Sequence, residues 1–151
     1  YIFLGKYLIY GIIFVALALW FFWRESFKNQ LKVASVFLIT SLISYGIVFF
    51  VIHPLWPRVR PFEALLNVNQ LVSESGLSFP SKHALFSFLA ATFVFGFNRR
   101  IAFWLFLMAG LVALGRIFVG VHYPLDVFAG GVLGVFMGGI GFVIARRLTS
   151  Y

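Results

Sequence analysis

The sequence predicts an all-α protein, a polytopic bundle of transmembrane helices. Of its 151 residues, 62% are hydrophobic and only 11% are charged, whereas soluble domains carry about 25% charged residues. The mean hydropathy is +1.02, and the charged residues lie in short clusters between long apolar runs. Because a chain of this length usually forms one domain, we expect a single membrane-embedded domain over residues 1–151.

Five uncharged stretches predict five membrane spans, at residues 7–23, 33–52, 84–98, 101–115 and 127–145. A helix needs about 20 residues to cross the hydrocarbon, so the third and fourth helices must continue past the charged residues that flank them. A fourth helix from about 100 to 121 contains Arg116. A charge below the membrane surface is costly, so Arg116 must face the protein interior.

The polar segment 53–80 joins the second and third spans. Three residue–proline pairs in its first part, ending at Pro54, Pro57 and Pro61, favour extended or turn geometry. Apolar residues recur over 63–72, which predicts a short interfacial helix there.

The fifth span carries Gly130, Gly134 and Gly138, a small residue at every fourth position. Such a face lets another helix approach closely. We interpret it as packing within one chain rather than as a dimer interface, and the sequence does not fix the oligomeric state.

Basic residues indicate the orientation of the spans. If the spans alternate, seven basic residues lie on one side (Arg24, Lys28, Lys32, Arg99, Arg100, Arg146 and Arg147) and five on the other (Lys6, Arg58, Arg60, Lys82 and Arg116). The richer side is predicted to be cytoplasmic, which puts the start of this sequence outside. The sequence begins at Tyr1 rather than at methionine, so we expect it to be trimmed. A sixth helix upstream would return the amino terminus to the cytoplasm.

Three polar clusters fall on the outer side, where they can form one pocket. They are Arg58, Arg60 and Pro61; Pro80, Ser81, Lys82 and His83; and Arg116, His122 and Asp126. Arginine presents a planar fork of donors that matches phosphate oxygens, so Arg60 and Arg116 suit a phosphoryl group. Ser81 precedes the third apolar run, where a hydroxyl and free backbone N–H groups can cap a helix and hold an anion.

His83 and His122 can supply the chemistry of phosphoryl transfer, which needs a nucleophile and a proton donor when it proceeds through a covalent intermediate. Asp126 follows His122 by four residues. It can accept a hydrogen bond from one imidazole nitrogen and leave the other free to attack phosphorus.

The composition also indicates which partners to expect. The chain has only four acidic residues and no cysteine, so we expect neither a metal ion nor another cofactor. The net charge of +8 lies in clusters between apolar runs rather than along a polar face. We therefore expect the membrane and a lipid phosphate as partners, not nucleic acid.

The three clusters resemble the signature of the type 2 phosphatidic acid phosphatases, integral-membrane lipid phosphatases related to the vanadium haloperoxidases. In that family the first motif is lysine, six residues and Arg-Pro; the second is Pro-Ser-Gly-His; the third is Ser-Arg, five residues, His, three residues and Asp. The present residues match in type, order and spacing over about residues 52–131. Within the family, stretches 60–62, 78–83 and 121–126 look most like bacterial undecaprenyl-diphosphate phosphatases of the bacitracin-resistance type.

The resemblance implies a role for each matching residue. It implies His122 as the nucleophile that forms a phosphohistidine, Asp126 as its orienting partner and His83 as the acid that protonates the leaving oxygen. The phosphate ligands it implies are Arg60, Ser81 and Arg116.

Three positions depart from the family pattern: His53 replaces lysine, Lys82 replaces glycine and Gly115 replaces serine. Lys82 can hold the second phosphate of a diphosphate, or it can point to water. His53 binds phosphate weakly when neutral, and we interpret it as a polar residue settled at the membrane interface. Arg58 can supply the charge of the missing lysine. The sequence does not decide whether Arg58 is a phosphate ligand or a surface cation.

The sequence thus predicts a phosphatase domain that hydrolyses a lipid phosphate without metal at the outer face of the bacterial plasma membrane. Undecaprenyl diphosphate is the first choice of substrate, and phosphatidylglycerophosphate or phosphatidic acid is the alternative. A protein that binds or transports the lipid without hydrolysis, or one that transfers the phosphoryl group to an acceptor other than water, also fits. Glu63 and Glu74 are expected to be solvated or to pair with Arg58 and Lys82.

Overall fold

The computed structural model describes residues 26–65, 67–68 and 71–149, and no strand occurs in these ranges. The helices are α1 (Phe27–Gly46), a π-helical segment (Ile47–Ile52), α2 (His53–Leu55), α3 (Pro61–Ala64), α4 (Lys82–Phe95), α5 (Arg99–Phe118) and α6 (Pro124–Thr149). The first predicted span, residues 7–23, lies outside the described residues. The all-α class is confirmed over the described part of the chain.

Three helical stretches are long and apolar enough to cross a membrane: Phe27–Leu55, Arg99–Phe118 and Pro124–Thr149. The helix α4 is apolar but has only 14 residues. These four helices lie at the second to fifth predicted spans, but α4 ends at Phe95. The prediction that the third helix continues past the charged residues on both sides is therefore wrong, because the chain turns between Phe95 and Arg99. Many of their large apolar side chains point outward, such as Phe50, Trp104 and Phe128, as expected for a multi-pass membrane protein in contact with lipid.

Local interactions determine where α5 and α6 begin. The side chain of Asn98 caps α5 by accepting hydrogen bonds from the N–H groups of Arg100 and Ile101, both at 3.1 Å. Pro124 begins α6, because its fixed φ angle suits the first helical position and its missing N–H costs nothing there. As predicted, Arg116 lies inside α5 and is fully buried.

The helices α4 and α6 are in backbone contact along the glycine face of α6. A Cβ atom added to Gly130 would lie 2.4 Å from the carbonyl oxygen of Ser81, and one added to Gly134 would lie 2.3 Å from that of Leu85. The same addition at Gly138 would meet the Leu89 carbonyl oxygen at 2.6 Å. The prediction that this face packs within the chain is confirmed, and the contact fixes the first turn of α4 against the first turn of α6.

The predicted interfacial helix at 63–72 is wrong in its extent. The helix α3 begins at Pro61 and ends at Ala64, and the described residues of 65–72 are not helical. Tertiary contacts explain the difference, because the Leu71 N–H donates to the Val119 carbonyl at 3.3 Å and Val72 packs on Val119 and Val121. The apolar residues of this segment thus cover the end of α5.

Candidate active site

The three polar clusters meet at one end of the bundle, where α4 and α6 begin and α5 ends. The Ser81 N–H donates to the Asp126 carbonyl at 2.9 Å. The Arg60 guanidinium donates through Nη1 to the Val121 carbonyl at 3.0 Å. Residues from three distant parts of the sequence are therefore joined by direct hydrogen bonds, and they form one site.

A glycine turn at the end of α5 brings Arg116 and His122 into this site. Gly120 has a φ of 75°, a left-handed conformation that favours glycine. Its N–H donates to the Ile117 carbonyl at 3.0 Å, and the Val121 N–H donates to that of Arg116 at 3.4 Å. This pair of bonds is a Schellman motif. It reverses the chain, so that Arg116 comes from the last turn of α5 and His122 from the segment that follows it. Both side chains are buried, and His122 is 3% exposed.

Three donors hold the carboxylate of Asp126, which is fully buried in the first turn of α6. They are the Ser78 hydroxyl, the Tyr123 N–H at 2.9 Å and Nη1 of Arg58 at 2.8 Å. Arg58 also lies 4.0 Å above the centre of the Tyr123 ring. Arg58, predicted as an open choice between ligand and surface cation, is thus placed as the partner of Asp126.

Ser78 and Tyr123 were missed as site residues by the sequence reasoning. For Tyr123 a signal existed, because an acidic residue at the third helical position often reaches back to the N–H that precedes the helix. No local signal singles out Ser78, whose partner Asp126 is 48 residues away in the sequence.

His122 and Asp126 are neighbours, but they are not hydrogen-bonded. Nδ1 of His122 lies 3.8 Å from Oδ2 of Asp126, which is too long for a hydrogen bond. Nδ1 has no hydrogen-bond partner among the described residues. The predicted direct bond is therefore not made in this structure, because other donors already occupy the carboxylate.

The surroundings keep the imidazole of His122 neutral. Burial lowers the pKa of His122 below its ordinary value of 6.5, and the charges of Arg116 and Arg60 lower it further. The Asp126 carboxylate opposes this shift without reversing it. A neutral imidazole has a lone pair available for attack on an electrophile.

The Arg60 guanidinium, predicted to bind phosphate, is directed at backbone oxygens and is only 1% exposed. Besides Val121 it donates to the carbonyls of Gly76 at 2.9 Å, Ser75 at 3.3 Å and Leu77 at 3.4 Å. It therefore ties the loop 75–77 to the residue that precedes His122. The structure places Arg60 in the framework of the site.

The loop before α4 also brings Glu74 to the site. Oε1 of Glu74 accepts from Nη2 of Arg116 at 2.6 Å, and Oε2 lies 3.7 Å from Nη2 of Arg60. Burial alone would raise the pKa of Glu74, but the Arg116 hydrogen bond and the charges of Arg116, His83 and Arg60 lower it. The expectation that Glu74 is solvated or pairs with Arg58 or Lys82 is wrong, because this loop folds over the end of α5. Glu63 is exposed, as expected.

Ser81 and His83 open α4 on the same side of the site. The Ser81 side chain makes no capping bond, and its Oγ is buried without a hydrogen-bond partner among the described residues. His83 is half-buried and lies close enough to Arg116, Glu74 and His122 to feel their charges. His83 thus borders the buried basic region around Arg116, and Ser81 is joined to Asp126 through its backbone.

Lys82 and His53 lie at the margin of the site. Nζ of Lys82 is 5.9 Å from the centre of the Tyr45 ring, and its charge acts on His53. His53 is half-buried in α2, and its Nε2 has no hydrogen-bond partner in the described part of the chain. Within the described ranges, no group of three or more His, Cys, Asp or Glu side chains is placed to hold a metal ion.

Comparisons with known proteins identify the family of the chain. A model of the family described as the PAP2 superfamily matches residues 34–150, a stretch that contains every site residue above. The chain is 34% identical to the bacitracin transport permease protein BcrC of Bacillus licheniformis, over 97% of this chain and 71% of that one. It is 28% identical to the undecaprenyl-diphosphatase BcrC of Bacillus subtilis, over 99% of this chain and 76% of that one. The crystal structure of Aquifex aeolicus LpxE is similar with a TM-score of 0.68 and 28% identity, over 93% of this chain and 80% of that one.

Proposed function

The chain belongs to the PAP2 superfamily and is an enzyme of its lipid phosphatase class, and from this premise we propose that it hydrolyses undecaprenyl diphosphate to undecaprenyl phosphate through a phosphohistidine on His122. The observation that carries the proposal is the buried Oγ of Ser81, which has no hydrogen-bond partner among the described residues although its backbone N–H is bonded to Asp126. The same site contains the buried guanidinium of Arg116, whose charge acts on His122 and His83. Buried polar atoms are normally satisfied, so this arrangement favours a polar ligand.

In the proposed reaction, Nε2 of His122 attacks the terminal phosphorus, because Nδ1 faces Asp126. A bond forms between Nε2 and phosphorus, and the bond from phosphorus to the bridging oxygen breaks. The electron pair stays on the bridging oxygen, which takes a proton from His83. Water then attacks the phosphohistidine and gives a proton to His83, the nitrogen–phosphorus bond breaks, and inorganic phosphate leaves.

Each remaining group has a proposed part in this step. Arg116 and Ser81 bind oxygens of the transferred phosphoryl group and stabilise its charge. Asp126, itself fixed by Arg58 and Ser78, orients His122 and stabilises the positive charge that develops on its ring. Arg60 acts on phosphate through its charge and through the backbone that it fixes.

Lys82 is the feature that favours a diphosphate over a monophosphate. It lies between Ser81 and His83 in the sequence and is half-buried at the start of α4. A flexible cation there can bind the second phosphate, which becomes the leaving group. The relative from Bacillus subtilis, whose name describes an undecaprenyl-diphosphatase, supports the same substrate.

We assign the site to the outer face of a bacterial plasma membrane. The support comes from the basic residues at the other end of the bundle. Nζ of Lys32, near the start of α1, donates to the Leu148 carbonyl at the end of α6 at 3.1 Å. Further basic residues lie near the start of α1, at the start of α5 and at the end of α6: Lys28, Arg99, Arg146 and Arg147. The membrane face that is richer in basic residues is usually cytoplasmic.

A substrate panel with two variants tests the proposal. Purified protein is assayed for phosphate release from undecaprenyl diphosphate, phosphatidylglycerophosphate and phosphatidic acid. His122→Ala should lower kcat by roughly 10⁴-fold or more while leaving the protein folded, and an acid-labile phosphoryl adduct should be found on His122 of the wild type alone. Lys82→Ala should lower kcat/KM about tenfold for the diphosphate only, and Lys28→Ala, the same change at the opposite end, should leave it unaltered.

The other outcomes lead to the alternatives. Faster hydrolysis of phosphatidylglycerophosphate or phosphatidic acid, with no effect of Lys82→Ala, would assign the monophosphate substrate instead. Lipid binding without phosphate release from any substrate would indicate a binding or transport protein. Full activity of His122→Ala would refute the phosphohistidine.

A further inference from the structure

Glu74 is the acidic side chain closest to the proposed phosphate ligands. Its carboxylate bridges two buried guanidinium groups, with one oxygen 2.6 Å from Arg116 and the other 3.7 Å from Arg60. His83, the proposed acid, is near enough for its charge to act on Glu74. Glu74 thus binds Arg116, the cation to which the proposed function assigns phosphoryl oxygens.

We propose that the Glu74 carboxylate occupies the phosphate-binding position when no phosphate is bound, and that the incoming phosphate must displace it. This inference rests on the proposed function only in taking Arg116 as a phosphate ligand. It makes Glu74 the residue that sets the affinity of the site for phosphate, both as part of the substrate and as product.

The chemistry of the groups supports a direct competition. Carboxylate and phosphate bind arginine with the same oxygen-to-guanidinium geometry. Two anions cannot share the site cheaply, because like charges a few ångströms apart in a poorly solvated site repel strongly. Binding of phosphate must therefore break the short Glu74–Arg116 hydrogen bond.

The position of Glu74 also leaves it able to move. Its side chain is 23% exposed, whereas that of Arg116 is 1% exposed. The backbone that follows Glu74 is held by Arg60, so the movement concerns the Glu74 side chain alone. The carboxylate can reach water by a side-chain rotation, while the arginine is fixed within α5. Displacement therefore moves the acid and leaves the cation in place.

Binding of inorganic phosphate to the full chain in detergent tests the proposal without requiring hydrolysis. The dissociation constant is measured from the dependence of the thermal unfolding temperature on phosphate concentration. Glu74→Gln keeps the shape of the side chain and an acceptor for Arg116 but removes the charge, and it should tighten phosphate binding about tenfold. Glu63→Gln removes the same charge from an exposed position, and it should leave the dissociation constant within about twofold of the wild type.

Kinetics separate competition from a merely structural role. If Glu74 competes with phosphate, Glu74→Gln lowers KM for the lipid and lowers the inhibition constant of inorganic phosphate by similar factors, without raising kcat. If Glu74 only positions Arg116, the same variant raises both constants, and the proposal is overturned. Phosphate binding to Glu74→Gln that is no tighter than to Glu63→Gln also overturns it.

A second variant covers the case in which Glu74→Gln does not fold. Glu74→Asp keeps the charge but withdraws it by one methylene, so phosphate should bind more tightly than to the wild type, by a smaller factor. An unchanged or weaker affinity would contradict the proposal. If the wild type binds phosphate with these responses but hydrolyses no lipid, the proposed function fails and the role of Glu74 stands.

Discussion

Gly130→Ala tests whether the close approach of α4 and α6 sets the catalytic geometry. The new Cβ would lie 2.4 Å from the Ser81 carbonyl oxygen, where ordinary contact begins at 3.4 Å. The obstacle is backbone and not the end of a flexible side chain, so the two helices must separate by about 1 Å at this point. The 2.9 Å hydrogen bond from the Ser81 N–H to the Asp126 carbonyl crosses the same contact.

This displacement should lower both the stability of the protein and its kcat. Overpacking of this kind destabilises a protein by about 1–3 kcal/mol. The higher helix propensity of alanine offsets about 0.5–1 kcal/mol of this loss. A shift of about 1 Å between Ser81 and the His122–Asp126 pair should cost about 100-fold in kcat. Thermal unfolding in detergent measures the loss of stability, and the rate of phosphate release from undecaprenyl diphosphate measures the loss of kcat.

Two glycines of the same helix provide matched controls. Gly139→Ala meets nothing within 4 Å, so it should leave kcat unchanged and stability equal or slightly higher. Gly138→Ala produces a similar clash, 2.6 Å from the Leu89 carbonyl oxygen, but about two turns away from the site. It should lower stability with much less effect on kcat. The reasoning is refuted if Gly130→Ala releases phosphate as fast as Gly139→Ala.

Two further predictions address Arg60 and His122. Arg60→Lys should destabilise the protein by about 3 kcal/mol, because lysine cannot satisfy the four carbonyls that the guanidinium binds; a normal unfolding temperature with a raised KM would instead indicate a direct phosphate ligand. Because burial holds the pKa of His122 below 6.5 and only the neutral ring attacks, the acidic limb of kcat/KM should have its midpoint below pH 6.5, while the proton required from His83 makes kcat/KM fall on the alkaline side as well. A midpoint of the acidic limb above that value in a pH series of kcat/KM would contradict the neutral, buried His122.

The helices could be predicted because their causes are local. Apolar runs and their charged flanks locate α1, α4, α5 and α6, and Pro124 marks the start of α6. The burial of Arg116 followed from one physical fact, that a charge within a membrane helix needs the protein interior. The convergence of the three clusters followed from alternating spans.

The partners within the site could not be predicted, because they depend on the path of the segment 65–80. The sequence does not indicate that Glu74 returns to Arg116, or that Ser78 reaches Asp126. Apolar spacing over 63–72 indicated a helix, but Val72 is used to cover the end of α5. Arg60 looked like a phosphate ligand by residue type, and its backbone acceptors exist only once this loop is folded.

The shortness of α4 has a consequence for how a lipid reaches the site. Its 14 residues rise about 21 Å, whereas the hydrocarbon layer is about 30 Å thick. If the site faces outward as proposed and Phe95 lies at the inner boundary, Ser81 and His83 lie roughly 10 Å beneath the outer boundary. A phosphate group must then sink below the plane of neighbouring head groups, or the bilayer must thin around the protein. With that placement, the thickness of the surrounding membrane would affect turnover independently of the chemistry of the substrate.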